Sequence, residues 1–224
     1  MLVRFGNWIF HYRNFLFPLF YAALFIPSSV ITNSFELTLI SGMLFIITGM
    51  MTRSITIGLV YIKRGGVNRQ IYADTLVNEG IYKICRNPMY LGNITLLFGF
   101  GLLSNSVIFM LVFFPLFCFF YTAIIKAEES FLATKFGIRY EEFRQDTNAL
   151  LPDITKIKEA FAGHHFDFRK VIRNEYNSLF LYFLGVVSLL FYKKVISLSA
   201  FSVISVILIV IYLALKIQKK RGML

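Results

Sequence analysis

The chain has 224 residues, of which 57% are hydrophobic and 16% charged, with a mean hydropathy of +0.67, values that exclude an ordinary soluble globular domain and read as an integral membrane protein. The formal charge of +11 comes from 23 Lys and Arg against 12 Asp and Glu. It is spread along the chain and not gathered into one aromatic-interleaved patch, so it reads as membrane topology and contact with anionic headgroups, with no nucleic-acid partner.

A membrane span needs about 20 apolar residues to cross about 30 Å of hydrocarbon. The first expected span runs from about Phe15 to Ile31, behind Arg4, His11 and Arg13. Its basic start has the look of a signal peptide, but no small-residue cleavage site follows Pro27, and a retained span is expected. The second begins near Phe35 and reaches Thr52, where Arg53 interrupts before SITIGLVYI leads on to Lys63. A charge there implies either a long tilted helix or a turn into the interface. The segment from Lys63 to Arg86 is basic and turn-rich, with Gly65-Gly66, Asn68, Asn78 and Gly80. Tyr90 to about Ile125 is too long for one helix and is broken by Ser104-Asn105-Ser106, which predicts a helical hairpin with a short first arm. From Lys126 to Ile154 a helix is expected, because Phe131, Leu132, Phe136, Tyr140 and Phe143 recur at three- and four-residue intervals. A helix lying on the membrane surface would carry the same stripe. Beyond Pro152, ITKIKEAFAGHHFDFRKVIRNEY has the aromatic and basic mixture of an interfacial region and offers no chemistry of its own. The last two spans are expected at about Leu179–Tyr192 and Val195–Leu215, joined by Lys193-Lys194.

The expected fold is therefore all-α and integral to the membrane, with about six transmembrane helices. Basic residues flank both termini, the Lys63–Arg86 segment and the Lys126–Arg173 segment, while the turns at Thr32–Ser34 and Ser104–Ser106 carry no charge. This pattern puts both termini in the cytoplasm, with Lys193-Lys194 as the one dissent, and the composition is compatible with a bacterial inner membrane. Residues 1–152 read as a core, and residues 153–224 as an interfacial segment with an additional hairpin. Cys85 falls in a cytoplasmic segment and Cys118 within a span, so no disulfide joins them. The adjacent His164 and His165 lack partners at ligand spacing, and no metal is assigned.

Three elements fall on the same expected face: Asp74-Thr75-Leu76-Val77, then GIYKICRNPMYLG from Gly80 to Gly92, then Glu128-Glu129 where the hairpin returns. Singly, each has a bland explanation: Arg86 as a topology charge, Pro88 as a helix start, Tyr90 as an interfacial anchor, and the glutamates as a solvated helix end. Together they offer a helix N-terminus at Pro88 for an anion, a forked donor in Arg86 for a carboxylate, flat faces in Tyr82 and Tyr90, and an acceptor in Glu128 or Glu129 for an ammonium or ribose hydroxyls. A carboxylate, an ammonium, a ribose and an aromatic base describe a nucleoside amino acid such as S-adenosylmethionine.

The joined pattern, T-L-V-x-x-G-x-Y-x-x-x-R-x-P-x-Y-x-G at Thr75–Gly92 and E-E-x-x-L-x-x-x-F-G-x-x-Y-x-x-F at Glu128–Phe143, resembles the isoprenylcysteine carboxyl methyltransferase family and the related phospholipid N-methyltransferases, over roughly Phe35 to Pro152. The resemblance implies an S-adenosylmethionine-dependent membrane methyltransferase acting on a lipid or lipidated substrate. By position it implies cofactor contacts at Asp74, Thr75, Leu76, Val77, Tyr82, Asn87, Pro88, Met89, Tyr90 and Glu128, with Arg86 and Glu129 as the candidate catalytic residues. The family has histidine where this chain has Asn87, and its carboxyl methyltransferases have an arginine where this chain has Ile124. The acceptor stays open between a carboxylate and an amine. A sterol-reductase-like NADPH oxidoreductase and a non-catalytic membrane protein are the alternatives.

Overall fold

A computed structural model describes residues 1–60 and 69–224. The chain forms helices α1 (Leu2–Ala23), α2 (Phe35–Leu59), α3 (Pro88–Ser104), α4 (Phe114–Phe136), α5 (Ile138–Asp146), α6 (Ile157–Phe161), α7 (Phe168–Tyr192) and α8 (Leu198–Lys220). Among the described residues, four helical stretches are long and apolar enough to cross a membrane: α2, the continuous Phe109–Phe136, α7 and α8; α3 is a shorter apolar helix. Among the described residues the regular secondary structure is all helical, and the chain is an integral membrane protein. The turn residues Gly65-Gly66 and Asn68, with Lys63 beside them, lie outside the described residues.

Several boundaries depart from the sequence expectation. α1 starts at Leu2 and ends at Ala23, ahead of Pro27, so Arg4, His11 and Arg13 are inside the helix and not before it. The helix extends ahead of the apolar run from Phe15 because Ile9 and Phe10 bury against Ala123 and Ile124 of α4. α2 passes straight through Arg53, with Ser34 capping its start by accepting from the Leu37 N–H at 3.2 Å. The expected single helix from Lys126 to Ile154 is broken at Gly137, whose φ of +55° ends α4 and starts α5. α7 begins eleven residues before Leu179, with Asp167 as its cap.

Ser104-Asn105-Ser106 does turn the chain. Asn105 adopts the left-handed conformation that asparagine tolerates, and its amide accepts from the N–H of Ile31 and of Thr32 while donating to the Thr32 carbonyl. A π-helical turn at Phe109–Phe113 feeds into α4, next to Pro115, which has no N–H to continue the regular ladder.

Small residues draw α2 and α3 together. Gly42 meets Gly99 and Leu103, and Gly49 meets Gly92 and Leu96, a register that runs antiparallel. In lipid, where no hydrophobic force separates helix–helix from helix–lipid contact, such close backbone approach supplies the packing energy. A Cβ on Gly99 would sit 2.6 Å from the Ile46 nitrogen and 2.7 Å from the Gly42 carbonyl oxygen. Gly99→Val is therefore expected to cost about 1–3 kcal/mol or more through overpacking, read as a lowered thermal unfolding midpoint in detergent; an unchanged midpoint would show that the two helices separate freely.

Candidate active site

The short loop before α3 is set by Gly80, whose φ is +58° and whose Cβ would lie 2.3 Å from Val60 Cγ2, so only glycine fits there. The 3-10 turn that follows, Gly80–Lys83, buries Tyr82 against Leu132, Tyr140 and Phe143. The stripe read from the α4–α5 sequence thus packs on this loop. Residues 84–87 then pair with the strap that follows α5. Arg86 N–H donates to the Asn148 carbonyl at 2.8 Å, Asn87 N–H to that of Ala149 at 3.1 Å, and Asp153 N–H to that of Ile84 at 2.9 Å. Pro88 opens α3 at the position where its missing N–H costs nothing.

Arg86 and Glu129 meet each other. Arg86 Nη2 lies 2.5 Å from Glu129 Oε1, and Nη1 donates to the carbonyls of Arg144 and Thr147; Lys126 Nζ reaches the other Glu129 oxygen at 2.9 Å. The Arg86 and Glu129 side chains are 10% and 8% exposed, so the pair is a buried staple joining α3's lead-in, α4 and the end of α5.

A second set of residues surrounds a cavity of about 850 Å³, within the span of about 300–1,000 Å³ typical of small-molecule sites. At one end stand Tyr82, Asn87, Met89, Tyr90 and Glu128, with Arg13 and Asn14 of α1 beside them. The Tyr90 hydroxyl donates to Glu128 Oε1 at 2.5 Å, closing α3 onto α4. Further along each helix, Asn93 Nδ2 donates to the Tyr121 hydroxyl at 2.8 Å, and the Tyr90 and Tyr121 rings lie 5.1 Å apart. The far end is apolar, with Phe17, Pro18 and Phe25 on the α1 side, Phe117 of α4, and Leu181 and Leu184 of α7.

Of the twelve residues singled out from the sequence, Tyr82, Asn87, Met89, Tyr90 and Glu128 line this cavity. Pro88 is buried at the start of α3 and, like Arg86 and Glu129, lies outside the lining. Asp74 and Thr75 are exposed, and Leu76 and Val77 pack against the Tyr82–Tyr140 cluster. Asp74 accepts the Tyr72 hydroxyl at 2.5 Å, a bond that raises the phenol above its usual value. Cys85 is buried, and burial pushes its thiol up to about 11, so it stays protonated and non-nucleophilic at neutral pH. Among the described residues no group of three His, Cys, Asp or Glu is placed to hold a metal ion.

The sequence reading missed Arg13, Asn93, Tyr121 and the whole α7 wall. Arg53 carried the one usable signal. A lone arginine inside a span needs a partner, and the only acidic residues after Phe161 are Asp167 and Glu175. Glu175 is that partner: its two oxygens take Arg53 Nε at 3.1 Å and Nη2 at 2.5 Å.

The donor set at the Tyr90–Glu128 end suits S-adenosylmethionine. Glu128 is a carboxylate for an ammonium or ribose diol, Tyr82, Met89 and Tyr90 are surfaces for an adenine, and Asn87 is an amide for polar edges.

Residues 37–139 match the phospholipid methyltransferase family, the same class of membrane methyltransferase that the joined motif resembles. Among curated proteins, the chain is 33% identical over 82 residues to the cobalt-zinc-cadmium resistance protein CzcN of Cupriavidus metallidurans, covering 37% of this chain and 38% of that protein. It is 28% identical over 80 residues to the nickel-cobalt-cadmium resistance protein NccN of Alcaligenes xylosoxydans xylosoxydans, covering 36% of this chain and 37% of that protein. The similarity thus spans less than two fifths of either relative's length. No solved structure matches the chain.

Proposed function

We propose that this membrane methyltransferase-like chain moves a methyl group from S-adenosylmethionine to a carboxylate or amine of a membrane-embedded lipid or lipidated acceptor. The observation that carries the reading is the Tyr90–Glu128 hydrogen bond, 2.5 Å long, which joins the two halves of the motif across 38 residues at the mouth of one amphipathic cavity. The family match over residues 37–139 supports a methyltransferase and, with it, this methyl donor.

When bound, S-adenosylmethionine supplies an electrophilic sulfonium methyl for in-line displacement. The protein's task is then placement. Holding donor and nucleophile about 3–3.5 Å apart in a water-poor site supplies much of a rate enhancement. Glu128 binds the ammonium or ribose, held in orientation by Tyr90; Tyr82 and Met89 pack on the nucleoside; Asn87 hydrogen-bonds where a histidine would also titrate. Arg86 and Glu129 act as positioning residues, because their mutual pair fixes the loop that carries Asn87 into the start of α3, where Tyr90 stands. The basic flanks support a cytoplasmic mouth and cytoplasmic termini.

Calorimetry on the detergent-purified chain tests the reading. S-adenosylhomocysteine is expected to bind in the micromolar range, and absence of binding at millimolar concentration would sink it. Transfer of labelled methyl to a membrane extract, followed by base treatment of the product, separates an ester from an amine.

A further inference from the structure

The cavity does not end at the cofactor-binding groups. Along α3, Asn93 lies three residues beyond Tyr90, about 4.5 Å of helix rise, and along α4 Tyr121 lies seven residues before Glu128, about 10.5 Å. At this depth Arg53 Nη1 donates to Asn93 Oδ1 at 2.5 Å, while Nε and Nη2 are taken by Glu175 of α7. The guanidinium also faces the Tyr182 ring at 6.0 Å. Arg53, Asn93, Tyr121 and Tyr182 all line the cavity, and past them its walls turn apolar between α1 and α7.

A buried ion pair is a poor stabiliser, since apolar residues of similar size commonly hold a protein together as well or better. The Arg53 and Glu175 side chains are 10% and 4% exposed, as buried as the Arg86–Glu129 staple, but unlike that pair Arg53 lines the cavity. Charges kept inside membrane helices face the bundle interior or a water-filled cavity, and this one sits where the polar half of a cavity meets its apolar half. Glu175 also lies outside the matched segment 37–139, so the feature is supplied by the C-terminal hairpin.

We propose that the Arg53–Asn93 edge is the acceptor-orienting subsite, holding an oxyanion-bearing lipid head (carboxylate or phosphate) with its hydrocarbon chain between α1 and α7, and that Glu175 is the positioning residue fixing the Arg53 guanidinium. The proposal rests on the methyltransferase reading above. Arg53 has five N–H donors in a planar fork, of which three make the bonds described, and such a fork suits oxyanions. The acceptor enters from the lipid side and the methyl donor from the Tyr90–Glu128 mouth, so the two meet without sharing a path.

The test uses the full chain in lipid nanodiscs, as Glu175→Gln and as the double variant Arg53→Met/Glu175→Met, which removes both charges together and so avoids stranding one. Three quantities are read for each: the thermal midpoint, the Kd for S-adenosylhomocysteine, and the acceptor KM for methyl transfer. The acceptors are dioleoylphosphatidylethanolamine, S-farnesyl-N-acetylcysteine and total membrane lipid extract; the first two distinguish a phosphate-bearing from a carboxylate-bearing head. Both variants are expected to keep the S-adenosylhomocysteine Kd within twofold of the parent while the acceptor KM rises tenfold or more. An unchanged KM in both variants overturns the proposal. So does a parallel loss of S-adenosylhomocysteine affinity in the double variant with the midpoint retained, which would move Arg53 to the cofactor half. Failure of the parent chain to bind S-adenosylhomocysteine would remove the methyltransferase reading itself, and the subsite with it.

Discussion

Glu128→Ala is expected to weaken S-adenosylhomocysteine binding at least 100-fold and to abolish detectable methyl transfer. Glu128 is buried, lines the cavity, and is held by the Tyr90 hydroxyl at 2.5 Å, so its carboxylate is oriented before any ligand arrives. Hydrogen bonds to a charged group contribute about 1.5–3 kcal/mol each, and tenfold in affinity corresponds to about 1.4 kcal/mol. Two lost bonds to an ammonium or ribose diol therefore reach the hundredfold range. Tyr90→Phe keeps the ring and the carboxylate but removes the bond between them, so a smaller loss, about tenfold, is expected. Calorimetry on both variants, with Glu128→Gln as the shape-preserving control for folding, checks the order. Binding equal to the parent in Glu128→Ala would take the cofactor away from this end of the cavity.

The second large effect falls on stability. Arg86→Ala is expected to cost about 3–5 kcal/mol, the range for breaking a buried ion pair from one side. It removes the donors to the Arg144 and Thr147 carbonyls and leaves the 8%-exposed Glu129 side chain with Lys126, itself half in solvent. The strap at residues 146–153 should come loose from the loop ahead of α3, taking Asn87 with it. Arg86→Lys should not rescue, because a single ammonium cannot reach three acceptors placed for a planar fork. The double variant Arg86→Met/Glu129→Met should regain most of the loss. Thermal midpoints in detergent decide between this and a directly reacting Arg86: a variant that keeps the parent midpoint but loses transfer would assign Arg86 to the substrate.

Local chemistry was readable from the chain, and pairing across distance was not. Ser104-Asn105-Ser106 announced the hairpin because asparagine and serine satisfy a turn's own backbone groups. That hairpin was enough to bring Tyr90 and Glu128 to one side, and five of the cavity residues followed. Arg86 and Glu129 are sequence neighbours of the cavity-lining Asn87 and Glu128, yet that each is the other's partner depends on which way two helix ends point. The break at Gly137 was hidden by a stripe whose spacing carries straight across it. α1 starts ahead of its apolar run because helix ends follow capping and packing, here Ile9 and Phe10 on α4, and hydropathy does not report these. Glu175 escaped because it sits among the basic and aromatic residues of an interfacial-looking stretch, where an acid draws no notice until a buried guanidinium is set opposite it.

The Arg53–Glu175 pair also has a history in time. The two residues are 122 positions apart, and at about 5–20 residues per second the ribosome needs roughly 6–24 s to travel from one codon to the other. For part of that interval α2 would lie in the bilayer without its counter-charge, and a centrally placed arginine costs up to about 2.5–3.5 kcal/mol there. The cavity, with the Arg53 guanidinium bonded to Glu175, therefore requires α7 to pack on α2.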